Sequence, residues 1–198
     1  MTTLAHTLTT RLLPTLDQKI RDLLLIFSGA LLVALLAQVR IPLPFTPVPL
    51  TGQTFAVLLV GAALGSRRGF ACLGLYTALG VFGLPVFAGG QAGLTYALGP
   101  TAGYLIGFIA AATVIGLLAE RGLERSIRTS ILPFLAGTLV IYLFGAGWLA
   151  LQFGLEKALA LGVTPFLIGD AIKLALAAIA LPTAWKLVDR PVAPTRIL

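Results

Sequence analysis

Charged residues are scarce in this chain, and so are the side chains that build most metal sites and disulfides. Lys, Arg, Asp and Glu make up 11% of the 198 residues, against about 25% in soluble domains. The single cysteine, Cys72, excludes an internal disulfide and a cysteine-rich metal centre. The single histidine, His6, lies in the polar N-terminal segment, where we expect no role for it. We therefore expect a membrane protein without a metal or a cofactor.

Acidic residues are scarcer than basic ones. The chain has seven Asp and Glu residues and fourteen Lys and Arg residues, which give a net charge of +7. The basic residues stand singly or in pairs at the ends of apolar segments. Positive charge placed in this way orients a protein in the membrane and contacts anionic lipid headgroups. We expect lipid contacts and no nucleic-acid partner.

Apolar residues are abundant, at 58% of the chain, and predict an all-α membrane protein. We expect one membrane domain over residues 1–198, with an interfacial N-terminal segment (1–22), a six-helix bundle (23–187) and a polar tail (188–198). The six predicted transmembrane helices cover residues 23–39, 54–64, 70–83, 101–119, 131–151 and 165–187.

The lysines and arginines predict the orientation of this bundle. Eleven of the fourteen fall on the side that holds both termini, Arg40 and Lys157 fall on the other side, and Lys173 lies within a span. Cytoplasmic loops carry the excess of basic residues. We therefore expect both termini in the cytoplasm.

Two irregular connections would then lie together on the outer face. Residues 41–54 carry four prolines, which forbid a continuous helix and predict an extended lid or cavity wall. Gln53, at the end of this stretch, offers a neutral hydrogen-bonding group.

The second connection, residues 84–104, is rich in glycine and carries no charge. Gly89 and Gly90 would let the backbone approach a ligand closely. Tyr96 and Tyr104 could supply ring faces and hydroxyl groups, although an aromatic residue near a membrane interface is more often an anchor.

An acid and a base lie within the last apolar span, in the sequence FLIGDAIKLALAAIALP. Asp170 and Lys173 are three residues apart and project from one face of a helix. Each charge costs roughly 2.5–3.5 kcal/mol at bilayer depth on insertion scales, which indicates a function. A polar ligand could use the two groups separately, with Asp170 accepting hydrogen bonds and Lys173 donating them. The alternative is a structural pair that locks the bundle.

Small residues mark one face of the first span. Ala30 and Ala34 are four residues apart, a spacing that lets another helix pack closely. On spacing alone, alanine that simply fills the helix is an equally good interpretation.

Four motifs resemble one transporter family in order and spacing. They are IPLPFTPVPLTGQTFAVLLVGAALG, GLPVFAGG, LGPTAGYLIGF and IGDAIKLALA, and the resemblance, from about residue 28 to 187, is to the biotin-binding S components of energy-coupling factor (ECF) transporters. It implies the ECF S-component fold in the cytoplasmic membrane of a prokaryote, capturing biotin from outside. It also implies a transmembrane coupling subunit, contacted through Ala30 and Ala34, and two cytoplasmic ATPase subunits. Asp170 and Lys173 match positions at the family's biotin site.

Three alternatives remain at this point. They are an S component for a different vitamin, a purely structural membrane protein and an intramembrane enzyme. An intramembrane enzyme would need a nucleophile with a base, or a metal cluster, and Asp170 with Lys173 makes neither. The chain has no nucleotide-binding motif, so we expect a transporter subunit rather than an enzyme. Whether it also moves biotin without ATPase partners stays open, as do the individual roles of the two charged residues.

Overall fold

The structure, a computed structural model, describes residues 3–188 and is almost entirely helical there. One two-stranded ribbon interrupts the helices. In chain order the elements are α1 (Leu4–Leu12), α2 (Gln18–Gln38), β1 (Arg40–Ile41), β2 (Leu50–Thr51), α3 (Gln53–Leu64), α4 (Ser66–Val81), α5 (Leu94–Ala97), α6 (Ala102–Ala119), α7 (Ile127–Phe153), α8 (Leu155–Gly162) and α9 (Leu167–Val188), with short 3-10 turns at Leu123–Arg125 and Thr164–Phe166.

A helix occupies each of the six predicted positions, namely α2, α3, α4, α6, α7 and α9. Four apolar helical segments are long enough to cross a membrane: Gln18–Gln38, Ala102–Ala119, Ile127–Phe153 and Leu155–Val188. Helix α3 has 12 residues, or about 18 Å at 1.5 Å per residue, which is shorter than a hydrocarbon core of about 30 Å. The all-α prediction is therefore confirmed, with four segments of spanning length.

Two long helices begin before the predicted apolar boundaries because polar residues cap them. Asp17 accepts a hydrogen bond from the Lys19 amide (2.7 Å) at the start of α2. Ser126 accepts one from the Thr129 amide (3.3 Å) at the start of α7. Such caps satisfy amide donors that have no partner within the helix. Helix α2 therefore begins within the predicted interfacial segment (1–22), whose place at the membrane surface stays a prediction. The predicted tail at 188–198 lies outside the described residues apart from Val188.

Helix α6 forms the centre of the bundle, with 61% of its residues buried. It packs most closely against α7, and α3 and α4 pack on its other sides. Gly116 allows a close approach, because a Cβ atom there would lie 2.2 Å from the backbone nitrogen of Ser66. A side chain at this position would force the end of α6 away from the α3–α4 turn.

The proline-rich and glycine-rich connections lie together at one end of the bundle. Strands β1 and β2 pair antiparallel, with Arg40 opposite Thr51 and Ile41 opposite Leu50. The Thr46 hydroxyl donates to the Leu161 carbonyl of α8 (2.7 Å). Two hydrogen bonds join the glycine-rich connection to the end of α2. The Gly89 backbone amide donates to the Ala37 carbonyl (3.2 Å), and the Gln38 side-chain amide donates to the Phe87 carbonyl (3.3 Å).

Candidate functional site

A cavity lies beneath these two connections and reaches into the bundle. It has about 540 Å³ of empty space, including its open mouth. Its walls come from the proline-rich stretch, the glycine-rich stretch and four helices, α3, α6, α7 and α9. The lining residues are Val48, Pro49, Leu50, Thr51, Gln53, Thr54, Ala88, Tyr96, Thr101, Tyr104, Leu105, Phe108, Ile141, Tyr142, Phe166, Asp170 and Lys173.

The charged pair predicted from the sequence forms one wall of this cavity. The Lys173 ammonium lies 2.9 Å from the Asp170 carboxylate, as expected for side chains three residues apart on a helix. The Asp170 side chain is 9% exposed and that of Lys173 is 16% exposed. The two charges therefore compensate each other where water is scarce.

Two hydroxyl groups from other helices complete the pair. Thr54 of α3 donates to Asp170 Oδ1 (3.0 Å) and accepts from Lys173 Nζ (2.8 Å). Tyr142 of α7 donates to Asp170 Oδ2 (2.6 Å). An ionised carboxylate offers about four acceptor positions, and an ammonium has three donors. Within the part of the chain that the structure describes, Asp170 thus retains about one acceptor position and Lys173 about one donor.

Gln53 lines the cavity but its side chain is already engaged. The amide nitrogen donates to the Tyr76 hydroxyl (2.7 Å), and the amide oxygen accepts from Thr51 (2.9 Å). The residue is 5% exposed. Gln53 therefore anchors the start of α3 and presents a fixed polar surface to the cavity.

Tyr96 and Tyr104 also line the cavity, and their contact with a ligand stays a prediction. The Tyr104 hydroxyl donates to the Gly162 carbonyl (2.6 Å), so its ring is the part that faces the cavity. The Tyr96 ring stacks on Phe87, with ring centroids 5.2 Å apart. Burial raises the pKa of the Tyr96 phenol.

The remaining predicted residues lie outside the cavity lining. Gly89 and Gly90 have positive φ angles of +67° and +77° and form the turn next to Ala88, which does line the cavity. Ala30 is 4% exposed and packs inside the bundle, whereas Ala34 is half-buried. The binding roles assigned to these four residues stay predictions.

Thr54 and Tyr142 contact the charged pair, yet no sequence pattern indicates them. Their signal was weak, because a single threonine or tyrosine within an apolar span is common at helix surfaces. Phe108 and Phe166, which supply apolar walls, were missed for the same reason. Only the fold brings α3, α7 and α9 to one carboxylate.

The sequence model of the BioY family matches residues 6–190. The chain belongs to the BioY family. Among BioY relatives, the biotin transporter of Rhizobium etli is 37% identical over 168 residues, which are 80% of this chain and 90% of the relative. A probable biotin transporter of Pyrococcus horikoshii is 42% identical over 151 residues, which are 76% of this chain and 89% of the relative.

A solved structure is similar to the BioY fold seen here. It is the S component for biotin from an ECF-type ABC transporter, described as a 2.1 Å crystal structure. The TM-score is 0.75 at 28% sequence identity, and the match covers 87% of this chain and 94% of the other. The resemblance inferred from the four motifs is thereby confirmed at the level of family and fold.

Proposed function

We propose that this chain binds biotin and serves as the substrate-specificity subunit of an ECF-type transporter that takes up biotin. The observation that carries the proposal is the pair of Asp170 and Lys173 in the wall of a cavity in a BioY-family chain. BioY relatives are named biotin transporters, and the similar solved structure is an S component for biotin. As a substrate-binding subunit of a transporter, the chain is not an enzyme.

The ureido group of biotin fits the hydrogen-bonding capacity of the charged pair. A ureido group presents N–H donors beside a carbonyl acceptor. Asp170 retains about one acceptor position and Lys173 about one donor, so the two residues together match one N–H and the carbonyl. Bonds to charged partners are roughly twice as strong as neutral ones. This arrangement supplies a specificity that a structural ion pair alone would not need.

Apolar walls complete the fit. The bicyclic ring and the hydrocarbon chain of biotin would contact Leu105, Phe108, Ile141 and Phe166, which line the same cavity. Ligand sites commonly combine such walls with a few placed polar groups. Enclosure therefore contributes affinity, while the charged pair fixes the orientation of the ligand.

The proposal includes a topology with six membrane crossings and both termini in the cytoplasm of a prokaryote. The four segments of spanning length support a multi-pass protein. The excess of lysine and arginine on the side of the termini supports the orientation. Contacts with anionic lipid headgroups follow from the same charges. The mouth of the cavity then faces outward, as capture of an external vitamin requires.

The partners are a transmembrane coupling subunit and two cytoplasmic ATPase subunits. Support comes from the family and from the ECF-type assembly named for the similar structure. Ala34 is half-buried and accessible to a partner helix, whereas Ala30 is 4% exposed. Ala34→Trp should therefore block co-purification with the coupling subunit and leave biotin binding intact. Leu139→Trp, at a 59% exposed position on α7, is the control, and equal co-purification of both variants would contradict the predicted surface.

Calorimetry on the purified protein in detergent tests the binding proposal. Biotin should bind one-to-one, and riboflavin and thiamine should not. Asp170→Asn should weaken biotin binding more than about tenfold, since a bond to a charged group contributes about 1.5–3 kcal/mol. The matched control is Asp22→Asn, which removes a carboxylate paired with Arg68 at 2.8 Å outside the cavity. Equal affinity of the wild type and Asp170→Asn would refute the site, and binding of another vitamin in place of biotin would refute the substrate.

A further inference from the structure

A second depression adjoins the mouth of the cavity. Arg40, Gln91 and Tyr96 lie along it, and its wall includes Pro49 and Ala88. Tyr96, Pro49 and Ala88 also line the cavity itself, so the two spaces are adjacent. A ligand longer than the cavity would extend its free end into this depression.

Arg40 is the charged residue of this depression, and the fold holds it in place. Its backbone pairs with Thr51 in the ribbon. Its guanidinium group lies against Gly89, where a Cβ atom would come within 2.2 Å of Arg40 Cζ. The absence of a side chain at Gly89 thus makes room for the arginine. This contact gives the glycine a packing role next to the cavity.

The Arg40 guanidinium has capacity for a ligand. Across residues 3–188, its side chain has no hydrogen-bond acceptor within bonding distance and no ion-pair partner, and the residue is exposed. Its charge also reaches the cavity wall: burial raises the pKa of the Tyr96 phenol, and the nearby Arg40 charge opposes that rise. An arginine fork matches the two oxygens of a carboxylate.

We propose that Arg40 binds the carboxylate of the ligand whose polar head contacts Asp170 and Lys173. This assignment rests on the proposed function, since biotin carries a carboxylate at the end opposite its ureido ring. It divides the site into an inner subsite for a neutral polar group and an outer subsite for a carboxylate.

The charges of the inner subsite favour this orientation over the reverse one. Asp170 neutralises Lys173 at 2.9 Å, so the pair has no net positive charge to offer an anion. A ligand carboxylate placed beside Asp170 would be repelled by it, and a partly buried charge without a partner is costly. Arg40 instead offers a full positive charge at a position where water still reaches. The carboxylate is therefore bound most favourably at the mouth.

Calorimetry with two ligands tests the outer subsite. The ligands are biotin and biotin methyl ester, which lacks the negative charge. The test variant is Arg40→Gln. The control variant is Lys157→Gln, which removes an exposed lysine of α8 outside both spaces. Arg40→Gln should weaken biotin binding about tenfold or more, a change of about 1.4 kcal/mol. It should leave binding of the ester within about twofold of the wild type. Lys157→Gln should change neither ligand.

Ester binding distinguishes the failures. If Arg40→Gln loses affinity for biotin and the ester equally, the substitution has disturbed the fold of the mouth and the carboxylate assignment is wrong. Unchanged biotin binding by Arg40→Gln also refutes it. If the wild type binds neither ligand, the proposed function fails together with the outer subsite. Arg40→Lys, which retains the charge without the fork, should bind biotin more tightly than Arg40→Gln.

Discussion

Removal of the Tyr142 hydroxyl tests whether the charged pair depends on a third helix. Tyr142 donates to Asp170 Oδ2 at 2.6 Å, and it is the side-chain donor to that oxygen within residues 3–188. The other bonds to Asp170, from Thr54 and Lys173, end on Oδ1. Tyr142→Phe therefore deletes one charge-assisted bond and changes little else, because the ring remains.

The expected loss follows from the charge of the acceptor. A bond to a charged group contributes about 1.5–3 kcal/mol and a neutral one about 0.5–1.5 kcal/mol. At about 2–4 °C per kcal/mol for a chain of this size, Tyr142→Phe should lower Tm by about 3–12 °C. Tyr104→Phe is the matched control, since its ring lines the same cavity and its hydroxyl donates to the neutral Gly162 carbonyl at 2.6 Å. That control should lose about 1–6 °C.

Thermal unfolding in one detergent, followed by tryptophan fluorescence, measures both variants. A double-mutant cycle isolates the charge-dependent part: in an Asp170→Asn background, Tyr142→Phe should cost only the neutral amount. A loss for Tyr142→Phe no greater than that for Tyr104→Phe would refute the reasoning. So would a loss that is the same in the wild-type and Asp170→Asn backgrounds.

Three further predictions concern packing, pH and the ion pair. Gly116→Ala should destabilise the protein, because its Cβ would lie 2.2 Å from a backbone nitrogen. In Gly147→Ala on α7 the added Cβ meets nothing within 4 Å, so this variant should be more stable by about 0.5–1 kcal/mol. Thermal melts measure both. Burial raises the pKa of the Glu124 carboxyl, which is 1% exposed in the turn before α7. The folded protein therefore holds a proton that the unfolded chain releases, so Tm should fall as pH rises from about 4.5. Glu124→Gln should flatten that dependence of Tm on pH. Lys173→Met should lower Tm by leaving Asp170 without its counter-charge, and Asp170→Asn combined with Lys173→Met should lose less than the sum of the two single changes.

Much of the fold was predictable because a membrane imposes a simple rule on composition. Apolar segments of spanning length must be helical, since the bilayer offers no other partner for backbone groups. This rule located α2, α6, α7 and α9 within a few residues. The ends were less accurate, because the caps at Asp17 and Ser126 extend α2 and α7 through residues that look polar in sequence.

Residues of the candidate site were predictable where a side chain is costly in a membrane. Asp170 and Lys173 stand out because charge at that depth is expensive. Tyr142 and Thr54 do not, since an uncharged hydroxyl carries little penalty in a helix. The close contact between Arg40 and Gly89 could not be predicted from the sequence either, because it depends on how two distant connections fold against each other. Pattern therefore identifies the charged pair, and only tertiary structure identifies its partners.

The bonds that hold the two connections over the cavity bear on how long a ligand stays bound. Three of them, from Thr46, Gly89 and Gln38, join the connections to α8 and α2. Breaking all three would cost about 1.5–4.5 kcal/mol, at about 0.5–1.5 kcal/mol for each. The uncovered form would then be roughly ten- to thousandfold rarer than the covered one. We therefore expect the residence time of a bound ligand to depend on the cover as well as on the contacts inside. Thr46→Val should shorten it, because this change removes both the bond to the Leu161 carbonyl and the acceptor of the Val48 amide (3.2 Å).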